Sequence, residues 1–96
     1  MKFGGFDWDS GNLPKCLGHV VLLAGIEALF AGDVYVVHES IVGGEKRMLG
    51  CGAGAGRWVF CVFAWRGDLV RPISVRFMHD KEIKRYAEAI SRFADG

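Results

Sequence analysis

Five arginines carry the chemistry this sequence could do: Arg47, Arg57, Arg66, Arg71 and Arg76 stand beside the ends of segments that read as strands. A guanidinium presents a planar fork of donors that matches a phosphate, and it keeps its charge. Several on one sheet face could hold an RNA backbone and stabilise the charge that builds on a phosphate during cleavage. Within the strand from Leu69 to Phe77, strict alternation puts Arg76 on the face of Ser74 and Arg71 on the face of Ile73 and Val75. On that parity the two cannot serve one site, and Arg76 is preferred because it sits where the strand hands over to the last helix. The reading requires Arg76 and Arg47 to share one solvent-open hollow.

Other reactive side chains point to less. His19, His38 and His79 are scattered, form no serine-histidine-acid set, and read as surface or packing residues. Asp7 and Asp9 share one strand face, but no third ligand is near in sequence, so they read as solvent-exposed and no metal site is expected. Cys16, Cys51 and Cys61 make an odd count without CxxC spacing, which argues against a disulfide framework or a familiar zinc site and suits a reducing cytoplasm. Trp58 and Trp65 read as core residues ahead of platforms for unpaired bases.

Charge separates the halves of the chain. Residues 1–45 carry two basic and six acidic side chains, net −4, whereas residues 46–96 carry ten basic and five acidic, net +5. The second half has the electrostatics to meet a phosphate backbone, although a solvated basic face without a ligand has the same composition.

The elements that must position these side chains follow from periodicity. The 96 residues suffice for one domain with one core, taken as 1–96. Trp58 to Trp65 is an unbroken apolar run, which reads as a strand covered on both faces. Gly67 and Asp68 supply a turn into the strand from Leu69 to Phe77, where Pro72 demands an edge position or a bulge. From Asp80 the period lengthens, and Ile83, Tyr86, Ala87, Ile90, Phe93 and Ala94 share a helix face, with Asp80 as capping acceptor and Glu82 suited to the positive end of the dipole.

Upstream, Phe3 to Asp9 reads as a short strand with Phe6 and Trp8 turned one way. Ser10 caps a short helical segment that stops at Gly18, and Val20 to Ala31 forms the main N-terminal helix. Its apolar stretch is too short and too interrupted to span a bilayer, and the first ten residues lack an apolar signal core. Val34 to Ser40 and Glu45 to Leu49 read as strands joined at Gly43 and Gly44. Gly50 to Gly56 reads as a flexible hairpin loop. Its match to a dinucleotide fingerprint is rejected, since a strand and not a helix follows. The sum is an α+β fold: an antiparallel sheet of about four strands, two N-terminal helices and one C-terminal helix.

Several of these motifs, taken in order along the chain, resemble a known family. Phe6-Asp7-Trp8-Asp9, Asn12-x-x-Lys15 before Gly18, Glu45-x-Arg47 leading to Gly50, Gly56-Arg57 before an apolar strand, Arg71-x-Ile73-Ser74-x-Arg76, and Glu82 with Tyr86 together resemble the BrnT toxins of bacterial type II toxin-antitoxin systems. The resemblance implies a RelE-like fold, RNA cleavage that arrests growth, and neutralisation by a BrnA-type antitoxin that carries a DNA-binding segment and represses the operon. Carried over by position, it implies Arg76 as a phosphate-stabilising residue, Glu45 and Arg47 as further catalytic candidates, and Lys15 and Tyr86 after them. Arg57, Arg66 and Lys84 are the RNA-binding candidates. Where members commonly carry a histidine after the lysine, this chain has Cys16.

The implied chemistry is attack of an RNA 2′-hydroxyl on the adjacent phosphate, without a cofactor or metal. Glu45 is a candidate base, and a structural pairing with Arg47 would account for it equally. A homodimer, or a hetero-oligomer with the antitoxin, is expected, in the cytoplasm and away from membranes. A non-catalytic toxin-like interaction protein and a plain RNA-binding module are the competing readings.

Overall fold

The computed structural model describes residues 2–12, 23–54 and 56–95, with side chains in the last helix as far as Ala87. The apolar run becomes β4 (Trp58–Arg66), the central strand of a five-stranded sheet in the order β1-β5-β4-β3-β2. Its neighbours are β3 (Glu45–Ala53) and β5 (Leu69–Phe77), both antiparallel to it, and β2 (Tyr35–Val42) forms one edge. The central position explains the composition, because β4 is covered on both faces: Val59, Cys61 and Phe63 look one way and Phe60 the other. The β2–β3 hairpin closes through Gly43 and Gly44, both at positive φ (58° and 80°), the backbone that a two-residue turn between twisted strands requires.

The N-terminal strand is shorter than the alternation suggests. Only Gly5–Phe6 forms β1, and it pairs in parallel with Leu69 and Val70, so the sheet is mixed and has five strands, not about four antiparallel ones. Pairing stops there for a physical reason: Pro72 has no N–H for a further rung. The chain then turns, with Asp9 Oδ1 accepting the backbone N–H groups of Gly11 and Asn12.

Two helices lie among the described residues, one on each face of the sheet. α1 (Leu23–Ala31) buries Ile26, Leu29 and Phe30 at helical spacing, while Leu23, Ala24 and Glu27 are exposed. Phe30 is the centre of that side: its ring meets those of Phe3, Phe6 and Phe63 edge-on at 5.9, 5.6 and 5.2 Å. α2 (Asp80–Asp95) sets Ile83 and Tyr86 over Phe60, Cys51 and Met78 on the opposite face. Ala87, expected on the buried stripe, is exposed, and the side chains of Ile90, Phe93 and Ala94 lie outside the described residues. The helical segment capped by Ser10, with Lys15 and Cys16, and the first turn of the helix beginning at Val20 also lie outside them. No described helix is long and apolar enough to cross a membrane.

Two expectations about the sheet are corrected. Of the alternating glycines, Gly50 and Gly52 are not in a loop: β3 runs to Ala53, Gly54 and Gly56 alone fall between the strands, and a Cβ on Gly50 would lie 2.7 Å from Val34 Cγ1, one on Gly52 2.6 Å from the Asp33 carbonyl. Glycine there lets the 33–34 connection and α1 lie against the strand, so the run records close approach. Trp65, expected in the core, is 38% exposed at the end of β4.

Candidate functional site

The bulge that Pro72 announces rearranges the arginines. Phe63 pairs with Pro72 and Val62 with Ser74, leaving Ile73 as an extra residue in β5. Cross-strand partners share a face, so Arg71 opposite Ala64 and Arg76 opposite Phe60 stand on the same side of the sheet. Uninterrupted alternation would have separated them. Glu45, Arg47 and Arg66 belong to this face as well, since Leu49 pairs with Val62 and each lies an even number of residues along its strand.

α2 covers one end of this face, and the other end is open. There a hollow of about 230 Å³ is lined by Gly11, Asn12, Glu45, Arg47, Arg66, Arg71 and Ile73. Three arginines from three adjacent strands therefore surround one carboxylate. Arg66 Nη2 donates to Glu45 Oε2 at 2.9 Å, so Glu45 pairs with Arg66. Arg71 reaches Asp9 at 2.8 Å and Asp7 at 3.5 Å, so the aspartates expected to be solvent-exposed, as Asp9 is, also pair with an arginine. Arg47 differs from both. Its side chain makes no hydrogen bond or ion pair among the described residues, and its Nε is buried without a partner. A buried donor left unpaired is costly, so this Nε is poised for an acceptor that the described residues do not supply.

Arg76, the preferred sequence candidate, is not among the residues lining the hollow. Its Nη1 and Nη2 donate to the two oxygens of Glu82 at 2.6 and 2.7 Å, and its guanidinium carbon lies 5.0 Å from the Phe60 ring centroid. Glu82 also accepts the His79 backbone N–H at 2.9 Å, so it caps α2 in the place expected of Asp80. The Arg76 bond first, then the His79 N–H, hold the Glu82 carboxyl down at about 2. Among the described residues no hollow is lined by both Arg76 and Arg47, and Arg66 and Arg71 stand beside Arg47 instead.

The remaining candidates are spread out. Arg57 stacks 3.8 Å over the Phe77 ring, Tyr86 meets Phe60 edge-on at 5.6 Å, and Lys84 is exposed on α2. Lys15 lies outside the described residues. No cluster of three His, Cys, Asp or Glu side chains that could hold a metal ion occurs among the described residues. Sequence reasoning missed the inclusion of Arg71 and the part played by Asp9 and Asn12. The signal was Pro72, since a bulge shifts the parity of every residue on one side of it.

The resulting site is cationic, solvent-open and built on strands, with one carboxylate beside a guanidinium that has no partner among the described residues. It can take up a phosphate and, from Glu45, accept a proton. A family described as the ribonuclease toxin, BrnT, of type II toxin-antitoxin systems matches residues 8–82, a span that holds every residue lining the hollow. No curated protein and no solved structure matches the chain.

Proposed function

The chain belongs to the BrnT family of ribonuclease toxins of type II toxin-antitoxin systems, and from that premise we propose that it is an endoribonuclease whose RNA phosphate sits in the hollow between Arg47, Arg66 and Arg71. The observation that carries the proposal is the buried Arg47 Nε, without a partner among the described residues, on the hollow it shares with the Glu45 carboxylate. Arg47 takes the phosphodiester oxygens with its fork. Glu45, held by Arg66, accepts the proton of the ribose 2′-hydroxyl as that oxygen bonds to phosphorus. The bond from phosphorus to the 5′-oxygen breaks, the leaving oxygen takes a proton from water, and a 2′,3′-cyclic phosphate remains. Negative charge on the phosphorane-like transition state is met by fixed cations, which need no reorganisation during the reaction.

Arg76 and Lys84 lie farther along, on or beside α2, and supply positive charge for flanking phosphates. Tyr86, Arg57 and Lys15 are secondary candidates on the same reading. A BrnA-type antitoxin neutralises the protein by covering the arginine face, and the RNA target places the action in the cytoplasm.

The test is cleavage of a labelled single-stranded RNA by the purified chain, with growth of a bacterial host expressing it. Wild type cuts the RNA and arrests growth, and Arg47→Ala, still folded, does neither. Co-expression of the antitoxin restores growth. A second reading, RNA or protein binding without cleavage, is favoured by one observation: Arg71 and Arg76 are already tied to carboxylates of the same chain. Intact RNA retained in a stable complex would select that reading.

A further inference from the structure

We propose that Asp9 and Asn12 are positioning residues of the RNA site, holding Arg71 at the β5 bulge so that it lines the hollow with Arg47. The inference rests on the reading that RNA is held in that hollow.

The contacts close a ring. Asn12, only 5% exposed, donates through Nδ2 to the carbonyls of Asp7 and Pro72, both at 2.9 Å, and its Oδ1 accepts the Asp9 N–H at 2.8 Å. This pins the turn after β1 to Pro72, the residue before the bulged Ile73. Asp9 Oδ1 accepts the N–H groups of Gly11 and Asn12 at 2.7 and 3.0 Å, which leaves Oδ2 to take Arg71 Nη2 at 2.8 Å. Arg71 is the residue before Pro72, so the ring ends next to where it began.

The arrangement exceeds what a surface ion pair needs. A free arginine side chain samples many rotamers, and a guanidinium tethered on one edge by a fixed carboxylate presents the rest of its five N–H donors in one direction. Asp9 is itself immobilised by backbone donors. Those donors, from Asn12 and Gly11, and then Arg71 keep its carboxyl below the usual carboxylate range, so the tether stays charged wherever RNA is handled. Asp7, at 3.5 Å, makes the looser second contact. A side chain with no role in the hollow could point away from it, yet the tether holds Arg71 among the residues lining the cavity.

The experiment is a double-mutant cycle on the full chain, comparing wild type, Asp9→Asn, Arg71→Ala and the double variant. Asparagine keeps an oxygen for the Gly11 and Asn12 N–H groups and removes the charge that tethers Arg71. Where Asp9→Asn folds poorly by thermal melting, Asp9→Ser serves the same cycle, because its hydroxyl still accepts a backbone N–H.

The expected result is a kcat/KM on single-stranded RNA about tenfold lower in Asp9→Asn, with the double variant no worse than Arg71→Ala. Removing a carboxylate adds one positive charge to the hollow, so a purely electrostatic role predicts the reverse, tighter RNA and undiminished cleavage. Activity at or above wild type, or losses that multiply in the double variant, overturns the inference. Loss of cleavage in Arg47→Ala alongside an unaffected Asp9→Asn would keep the proposed function and reject the positioning role. A wild-type chain that cuts no RNA rejects the proposed function instead. The same cycle is then read on binding of a 2′-O-methyl single strand, where Asp9→Asn should weaken the wild type several-fold and leave Arg71→Ala unchanged. Equal or tighter binding by Asp9→Asn, or no binding by the wild type, overturns the inference.

Discussion

Replacing Arg47 with methionine should raise the stability of the fold while removing its activity. In the free protein the Arg47 Nε is buried without a hydrogen-bond partner among the described residues, and the nearby Glu45 is paired with Arg66. An unsatisfied buried donor costs about 1–3 kcal/mol, and methionine removes it while keeping an unbranched apolar stem of similar reach. A net gain of about 1 kcal/mol corresponds to a melting temperature higher by roughly 4–8 °C in a domain of this size. The same substitution deletes the fork that meets the transition-state charge. Loss of one such preorganised donor costs about 2.7–4 kcal/mol in other enzymes, which is a roughly 100- to 1,000-fold slower reaction. Thermal melting and single-turnover cleavage of one RNA substrate measure both. A melting temperature that falls, with cleavage retained, would refute the reasoning, since it would make Arg47 a structural residue.

The remaining predictions concern the frame. Phe30→Ala removes a fully buried ring that three others meet edge-on, and urea denaturation should show a loss of about 3–5 kcal/mol. Gly52→Ala places a Cβ 2.6 Å from the Asp33 carbonyl and 2.9 Å from Leu29 Cδ1, so it should destabilise by about 1–3 kcal/mol, whereas an alanine at a flexible loop glycine would not. Glu82 titrates at about 2 in the fold, against an ordinary 4.5. Its contribution is therefore complete above the unfolded value and lost as pH falls from about 4.5 through about 2. Glu82→Gln should flatten that part of the stability–pH curve and leave the neutral-to-alkaline part in shape.

Periodicity made most of the frame readable. The change of period at Asp80, the apolar run of β4 and the paired turn glycines locate α2, the central strand and the β2–β3 hairpin with little ambiguity. What escaped was tertiary in origin. The length of β1 is decided by a missing N–H on Pro72, sixty residues past the Asn12 side chain that takes up its carbonyl. The glycines of β3 look like a loop to any local rule, because their purpose is the approach of α1 and residues 33–34 from the far end of a hairpin.

The site was half legible. Of the five arginines, Arg47, Arg66 and Arg71 do converge with Glu45, whereas Arg57 and Arg76 do not line the hollow. Parity failed at one residue, and that one residue moved Arg71 onto the face of Arg76, with Asn12 lining the same hollow and Asp9 paired to Arg71. The Arg76–Glu82 pair was invisible for a different reason. Six residues separate the two across a strand-to-helix junction, and only the turn at Met78 and His79 folds one onto the other.

The most direct measurement is the chemistry of the RNA ends produced by the purified wild-type chain in the presence of a chelator. Arginine-stabilised attack by the 2′-hydroxyl leaves a 2′,3′-cyclic phosphate on one fragment and a 5′-hydroxyl on the other. Fragments ending in 3′-hydroxyl and 5′-phosphate, cleavage that stops when divalent ions are removed, or cleavage that survives Arg47→Met undiminished would contradict the account.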